Sequence, residues 1–366
     1  MAVYDISTQT LESIYDVTGN ELAEAYDIDG VEIFSDDPDI PVTPLTWNMS
    51  DNYKGQVLGV LEDISTYKNT HPNAYALCQF NDVHTYFSGN EPNFIDYNKG
   101  YKCLDYILFI GDMVNSSNAT QYANAVNYMS GASASKKLVG MGNHEYGSYN
   151  ASYGNPETLY KAIINVDCTY KDSDVLIYYH DNSKHNVRFI ALDYFYQTKT
   201  YADSGHLLDM AQLNWLASVL ENSSNKDIIL FAHTMLNPFV CLENDAELSS
   251  SATLQNYQNL IDVITAFIDR DTYSVTVDGQ TYTHDFSDCT GDFVMYTTGH
   301  YHALGYADFG FNMFTCPSLG TPYGGSHRGI TFYLIDKSLK TIKVTQCSSE
   351  LSDSISFDYT YGGSVT

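Results

Sequence analysis

Five apolar runs, each followed closely by an aspartate, asparagine or histidine, constrain this chain more than any other feature. The clearest is Tyr106-Ile-Leu-Phe-Ile110, closed by Gly111 and followed by Asp112. An apolar run bounded by glycine reads as a buried strand that ends in a sharp turn. Asp112 then stands at a strand's C-terminal end, where open α/β sheets place their ligands. Upstream, Tyr75–Phe80 runs into Asp82-Val-His84. Downstream, Lys137–Met141 runs into Gly142-Asn-His-Glu145, Ile228–Ala232 into His233, and Phe293–Tyr296 leads to Gly299-His-Tyr-His302. One Gly-Asp after a strand is usually only a turn; five such ends in succession are not chance.

In this order the blocks resemble the signature of the calcineurin-like metallophosphoesterases: Asp-x-His, Gly-Asp, Gly-Asn-His-(Asp/Glu), a lone His, and Gly-His-x-His. The resemblance covers roughly residues 70–335. It implies an α/β protein built as a two-sheet β-sandwich flanked by helices, in α/β/β/α layers, with the site at one end. It also implies two divalent metal ions, of the Mn, Fe, Zn or Ni kind. Asp82, His84, Asp112 and His302 would hold one ion; Asp112 would bridge to a second, completed by Asn143, His233 and His300. Carboxylate, imidazole and amide-oxygen donors suit such borderline metals. His144 would remain free to protonate a leaving alkoxide, so the implied activity is phosphodiester or monoester hydrolysis by a metal-bridging hydroxide. His71, His180, His185, His206 and His284 match no motif and read as structural or surface residues.

One departure narrows the activity. Phosphoprotein phosphatases of this family continue Gly-Asp-x-x-Asp-Arg-Gly, whereas this chain has Gly111-Asp-Met-Val-Asn-Ser-Ser117. Asn115 stands where a carboxylate would pair with the catalytic histidine, which argues against phosphoprotein substrates but not against hydrolysis. The chain has three arginines, Arg188, Arg270 and Arg328. Arg328, with His327, lies in the Gly-rich stretch Gly324-Gly-Ser-His-Arg-Gly329 and is the candidate clamp for a substrate phosphate.

Strands and helices alternate through the body of the chain, the pattern of α/β layers. Helices are expected over Val57–Lys68, Thr120–Met129 and Leu207–Leu220, and around Leu260, Ile261, Ile264 and Ile268. In the third, Leu208, Ala211, Trp215 and Val219 form the apolar face, with Gln212 and Asn214 toward solvent. Val187–Asp193 reads as a strand, and Gly329–Asp336 and Thr341–Thr345 as antiparallel edge strands. Tyrosine-rich stretches such as Tyr146–Tyr153, and Tyr323, could offer a platform for a sugar or polyol.

The first residues form a different unit. Tyr4-Asp-Ile, Tyr15-Asp-Val and Tyr26-Asp-Ile recur eleven residues apart, with Leu11, Leu22 and Ile33 at the same interval. Residues 1–35 therefore read as short strand–turn–strand repeats, a β-repeat appendage too small to bury its own apolar face. Such repeats stack or associate with other chains, as in a homo-oligomer such as a trimer. Residues 36–45 read as an acidic, Pro-rich linker and residues 46–366 as the main domain. The repeat resembles elements at the start of bacteriophage tail-associated proteins. That resemblance implies a virion tail or extracellular location and a host cell-wall phosphopolymer, such as teichoic acid, as substrate. A cytoplasmic location is the expectation otherwise. The alternative is a virion structural or glycan-binding protein whose metal site does not turn over.

A formal charge of −28, with only 17 Lys and Arg in 366 residues, makes long nucleic acid an unlikely partner. A small phosphorylated substrate is compatible with it. No apolar run is long enough to span a membrane, and no signal peptide is visible at the start. The seven cysteines are odd in number and lack any Cys-x-x-Cys, which favours reduced, buried thiols. Sequons at Asn48, Asn115, Asn118, Asn150 and Asn222 read as compositional, since a glycan on Asn115 would obstruct Asp112.

Overall fold

The computed structural model describes residues 51–84, 103–115, 119–130, 137–146, 177–195, 206–223, 225–242, 246–248, 254, 256–319, 329–348 and 350–361, with short N-terminal strands. Those strands are β1 (Ile14–Tyr15), paired antiparallel with β2 (Glu21–Leu22), and β3 (Glu24–Tyr26), paired with β4 (Glu32–Ser35). The linker 36–45, His327, Arg328, Tyr323, Cys168 and the stretch after Tyr146 lie outside the described residues.

The chain then runs α1 (Asp51–Thr70), β5 (Ala74–Phe80), β6 (Tyr106–Ile110), α2 (Ala119–Ser130), β7 (Lys137–Gly140), the single turn α3 (Asn143–Tyr146), β8 (Tyr178–Asn182) and β9 (Val187–Ala191). Next come α4 (Met210–Glu221), β10 (Asp227–Phe231), β11 (Phe239–Cys241), β12 (Ala246–Leu248), α5 (Tyr257–Asp269) and the hairpin β13 (Thr272–Val277) and β14 (Gln280–Asp285). The last strands are β15 (Phe293–Thr298), β16 (Gly305–Asp308), β17 (Asn312–Thr315), β18 (Gly329–Asp336), β19 (Thr341–Ser348) and β20 (Ile355–Thr360). No helix among the described residues is long and apolar enough to cross a membrane.

Two sheets carry the fold. One has the order β20-β19-β18-β5-β6-β7 and the other β12-β11-β16-β17-β15-β10-β9-β8. Their facing sides share one core, with Phe80, Phe109 and Val139 from the first and Phe189, Phe231 and Phe314 from the second. Residues of α1 and α2, among them Val57, Ile64, Tyr122 and Met129, join that core. A second core lies between the other face of the larger sheet and α4 and α5, built on Leu213, Leu216, Val263 and Phe267. The expected α/β/β/α layering is what the chain forms.

Several local expectations are corrected. Neither Gly329–Asp336 nor Thr341–Thr345 is an edge strand: β18 lies between β19 and β5, β19 lies between β18 and β20, and the edge is β20. The helix expected from Leu207 starts at Met210, because the Asp209 side chain accepts from Gln212 N at 2.7 Å and caps it. Its buried face is Leu213, Leu216, Ala217 and Leu220, and Gln212 lies on it rather than in solvent. The Gln212 amide brackets the Asp193 backbone, accepting from Asp193 N at 2.9 Å and donating to Asp193 O at 2.7 Å. The six described cysteines are reduced and buried.

At the end of the sandwich opposite the motif residues, Asp105 ties three elements together. Its carboxylate accepts from Lys68 Nζ at 2.6 Å, from Ala76 N at 2.9 Å and from His185 Nε2 at 3.3 Å. Burial opposes its ionisation, but His185, Lys68 and the Ala76 amide outweigh burial and hold it well below the usual carboxylate range. A carboxyl depressed on folding contributes stability above its unfolded pKa and loses it as pH falls toward the folded one. Asp105→Asn is therefore expected to cost about 3 kcal/mol at pH 7, the scale for breaking a buried ion pair. The deficit relative to wild type should shrink as pH drops below about 4. Urea unfolding of both proteins at the two pH values checks this; a deficit independent of pH would mean that the charge of Asp105 is not what stabilises.

Candidate functional site

Parallel pairing brings the motif residues together. β5, β6 and β7 are adjacent and parallel, as are β10 and β15, so their C-terminal ends lie side by side at one end of the sandwich. Asp82 and His84 follow β5, Asp112 follows β6, Asn143 and His144 follow β7, His233 follows β10, and His300 and His302 follow β15. The turns are tight: Asp82, His84, Asp112, His300 and His302 all adopt left-handed backbone, with φ of 53°, 51°, 52°, 70° and 60°. Non-glycine residues avoid this region unless their surroundings hold them there, and such strain gathers at functional sites.

What holds them is visible. Asp82 N donates to Gly111 O and His84 N to Asp112 O, which stitches the first turn to the second. Asp82 Oδ2 accepts from Asn81 Nδ2 at 2.6 Å and from His300 N at 2.9 Å. Gly111, with φ of 73°, packs so closely on the His233 ring that a Cβ would collide with it. A Cβ on Gly142 would collide with the Asp112 carboxylate. The glycines of these motifs are thus set by close approach as well as by turn geometry.

Three sets of donor atoms converge: Asp82, His84 and His302; His84, Asp112 and His144; and Asp112, His233 and His300. Within them, His302 Nε2 lies 3.0 Å from Asp82 Oδ1 and 3.2 Å from His84 Nε2. His233 Nε2 lies 3.0 Å from Asp112 Oδ2 and 3.3 Å from His300 Nδ1. Asp112 Oδ2 is 4.0 Å from His84 Nε2 and 3.7 Å from His144 Nε2, so this one carboxylate reaches toward both halves. Asn143 Oδ1 is buried with no hydrogen-bond partner among the described residues. Imidazole nitrogens at these separations, two carboxylates and an orphaned amide oxygen fit a divalent-metal centre. His233 also shows an orienting contact common to metal-binding imidazoles, with Nδ1 2.9 Å from Ile110 O.

The electrostatics follow the same layout. Burial works against a charged His233, but the Asp112 and Asp82 carboxylates outweigh it and push the group up to about 10. Burial likewise opposes ionisation of Asp82 and Asp112. His302 and His233 override it at Asp82, and His144 and His233 at Asp112, leaving both acids low. His84 is pushed down to about 4, chiefly by burial. His300 is lowered by burial, then by His233 and His206.

His144 is anchored through both its ring and its backbone. Its Nδ1 lies 2.8 Å from the backbone carbonyl oxygen of Asn115, and its backbone N donates to Asp112 Oδ1 at 2.9 Å. Asn115 thus orients the imidazole with a carbonyl, although it lacks the carboxylate expected for that job.

Two residues were not recognised from sequence. Glu145, fully buried, accepts from the backbone N–H groups of Gly142, Asp112, Met113 and Val114. His206 is fully buried against the second histidine group, with its ring 4.7 Å from that of His300. Tyr146, by contrast, is buried and donates its hydroxyl to Asp193, so it offers no platform for a ligand.

No curated protein matches the chain. Among solved structures, similarity extends to a conserved uncharacterized protein, a predicted phosphoesterase, from Streptococcus pneumoniae. It is 11% identical with a TM-score of 0.33, over 78% of this chain and 98% of that one. Vacuolar protein sorting 29 from Cryptosporidium parvum is 7% identical with a TM-score of 0.36, over 79% and 98%. Vps29 from Chaetomium thermophilum is 9% identical with a TM-score of 0.33, over 79% and 100%. The family model for calcineurin-like phosphoesterases matches residues 75–266, from β5 into α5. That match spans more than half of the chain, and the protein belongs to the calcineurin-like phosphoesterases.

Proposed function

We propose that the protein is a phosphoesterase with two metal ions, which hydrolyses a phosphodiester or phosphomonoester without a covalent enzyme intermediate. The observation that supports this most is the position of Asp112, which belongs to two donor sets and whose Oδ2 lies 3.0 Å from His233 Nε2, 3.7 Å from His144 Nε2 and 4.0 Å from His84 Nε2. Asp82, His84, Asp112 and His302 would hold one ion, and Asp112, Asn143, His233 and His300 the other. Divalent ions held there supply the charge that acidifies a water and neutralises the phosphoryl oxygens.

The chain's own residues do the rest. His144, with Nδ1 directed to the Asn115 carbonyl, keeps Nε2 toward the cluster. From Nε2 it gives a proton to the leaving alkoxide as the ester P–O bond breaks and the bond from water to phosphorus forms, the water's own proton passing to solvent. Glu145 holds the turn that carries Asp112. A cell-wall phosphopolymer of the teichoic acid type is the substrate that links this chemistry to the N-terminal repeats. The formal charge of −28 disfavours long nucleic acid. Arg328 and His327 are the proposed phosphate clamp.

The test is hydrolysis of bis-p-nitrophenyl phosphate and p-nitrophenyl phosphate by metal-free protein, restored separately with Mn²⁺, Fe²⁺, Zn²⁺ or Ni²⁺. His144→Ala should retain bound metal and lose about 10²- to 10⁴-fold in turnover. Asn115→Ala should stay within a factor of about two, since any residue supplies the carbonyl. Absence of turnover with two ions bound per chain would instead favour a binding protein with a silent metal site.

A further inference from the structure

We propose that His206 is a substrate-positioning residue, whose Nε2–H donates to a phosphoryl oxygen beside the His233–His300 group; this rests on the phosphoesterase reading above. His206 is 0% exposed. Its Nδ1 lies 2.9 Å from Oγ1 of Thr234, the residue after His233. Its ring stands edge-to-face on His300, with centroids 4.7 Å apart, and edge-to-face on Phe195 at 4.6 Å. The ring is therefore held by a hydrogen bond and by two aromatic neighbours.

The other nitrogen is the informative one. His206 Nε2 is buried and has no hydrogen-bond partner among the described residues. A structural histidine in this chain looks different: His284 has Nδ1 3.0 Å from Glu221 Oε2 and Nε2 2.9 Å from Asn214 Oδ1. An unsatisfied buried donor is costly, so a side chain fixed in that state beside a reaction centre points to a partner that arrives with the substrate. If the Thr234 hydroxyl donates to Nδ1, the neutral ring carries its proton on Nε2, ready to donate.

Direct metal ligation fits less well, because His206 is absent from the sets whose donor atoms lie within 4.8 Å of one another. A phosphoryl oxygen is the acceptor the site calls for. Both described arginines are engaged elsewhere, Arg188 with Asp181 and Arg270 with the carbonyls of Phe267 and Gly291.

The test uses the full chain loaded with Mn²⁺, as wild type, His206→Phe and His206→Gln. Metal content, melting temperature, inorganic phosphate binding and hydrolysis of bis-p-nitrophenyl phosphate are measured for each. His206→Phe should keep metal and melting temperature, bind phosphate about tenfold or more weakly, and raise KM more than it lowers kcat. His206→Gln, whose amide N–H can reach the Nε2 position, should recover most of the phosphate binding. Phosphate binding by His206→Phe equal to wild type, in a protein that does turn over, overturns the proposal and leaves the phosphoesterase reading standing. Loss of one metal equivalent in His206→Phe would make His206 a ligand instead. Equal losses in both variants, together with a lower melting temperature, would make it structural. Wild type that neither binds phosphate nor turns over would overturn both readings.

Discussion

Exchanging Asp112 for Asn is expected to lower ester hydrolysis by about 10³-fold or more and to remove the stabilisation that divalent ions confer. Asp112 is buried, and its Oδ2 lies 3.0 Å from His233 Nε2, 3.7 Å from His144 Nε2 and 4.0 Å from His84 Nε2. Its Oδ1 accepts from His144 N at 2.9 Å. Asparagine matches its shape, so the packing against Gly142 survives and the chain should fold. What disappears is the negative charge and one of two acceptor oxygens: Oδ2 faces His233, His144 and His84 while Oδ1 accepts from His144 N, so an NH₂ must take one of these two places. An ion at a hundred times its Kd stabilises a protein by about 2.7 kcal/mol, so the loss is readable without any substrate. Thermal unfolding with and without Mn²⁺ should show a clear upward shift for wild type and almost none for Asp112→Asn. A variant that keeps both the shift and the turnover would remove Asp112 from the centre of the proposed mechanism.

The residues that could be read from sequence share one property: their signal is local. Asp82, His84, Asp112, Asn143, His144, His233, His300 and His302 each sit within a few residues of the end of an apolar run, where hydrophobic pattern and residue type appear together. Glu145 also belongs to a motif, yet its role is to accept from backbone groups about thirty residues earlier, and no spacing rule reveals that. His206 has no motif at all; its place depends on Phe195, Thr234 and His300, which only the folded chain brings near it. Gln212 shows the limit of hydropathy: a polar side chain on a helix reads as solvated, but a buried backbone in need of partners can draw it inward. The interior position of β18 depends on pairing with β5, some 250 residues away, whereas its hairpin with β19 is local and was legible. The β13–β14 hairpin is marked by a local signal as well. Asp278-Gly279, with φ of 49° and 81°, is a two-residue hairpin turn between β13 and β14, and that dipeptide is a strong turn signal in any sequence.

Glu145→Ala should destabilise the protein by about 3 kcal/mol or more, although the side chain belongs to none of the three donor sets. Glu145 Oε2 accepts from Gly142 N and Asp112 N, both at 2.8 Å, and Oε1 from Met113 N at 2.7 Å and Val114 N at 3.2 Å. Three of these donors lie in the turn where Gly111 and Asp112 are left-handed and the fourth, Gly142, in the turn after β7, so they have no regular secondary structure to satisfy them. Burial, then the nearby Asp112, pushes the carboxyl up to about 7, while the N–H groups of Gly142 and Asp112 pull it back. The cost of burying this acid is thus offset chiefly by the backbone it organises. Alanine would leave four buried donors without partners and would let the Asp112 turn relax, so divalent-ion affinity should fall along with stability. Glutamine tests the same idea at nearly constant volume: one acceptor oxygen becomes an NH₂ that faces N–H donors. Its stability should therefore fall between wild type and Glu145→Ala. Urea unfolding and Mn²⁺ titration of the three proteins separate the alternatives. If Glu145→Ala loses stability but binds Mn²⁺ as wild type does, the turn holds Asp112 without Glu145, and the left-handed backbone there is maintained by the hydrogen bonds from Asp82 N and His84 N and by the contacts with Gly142 and His233.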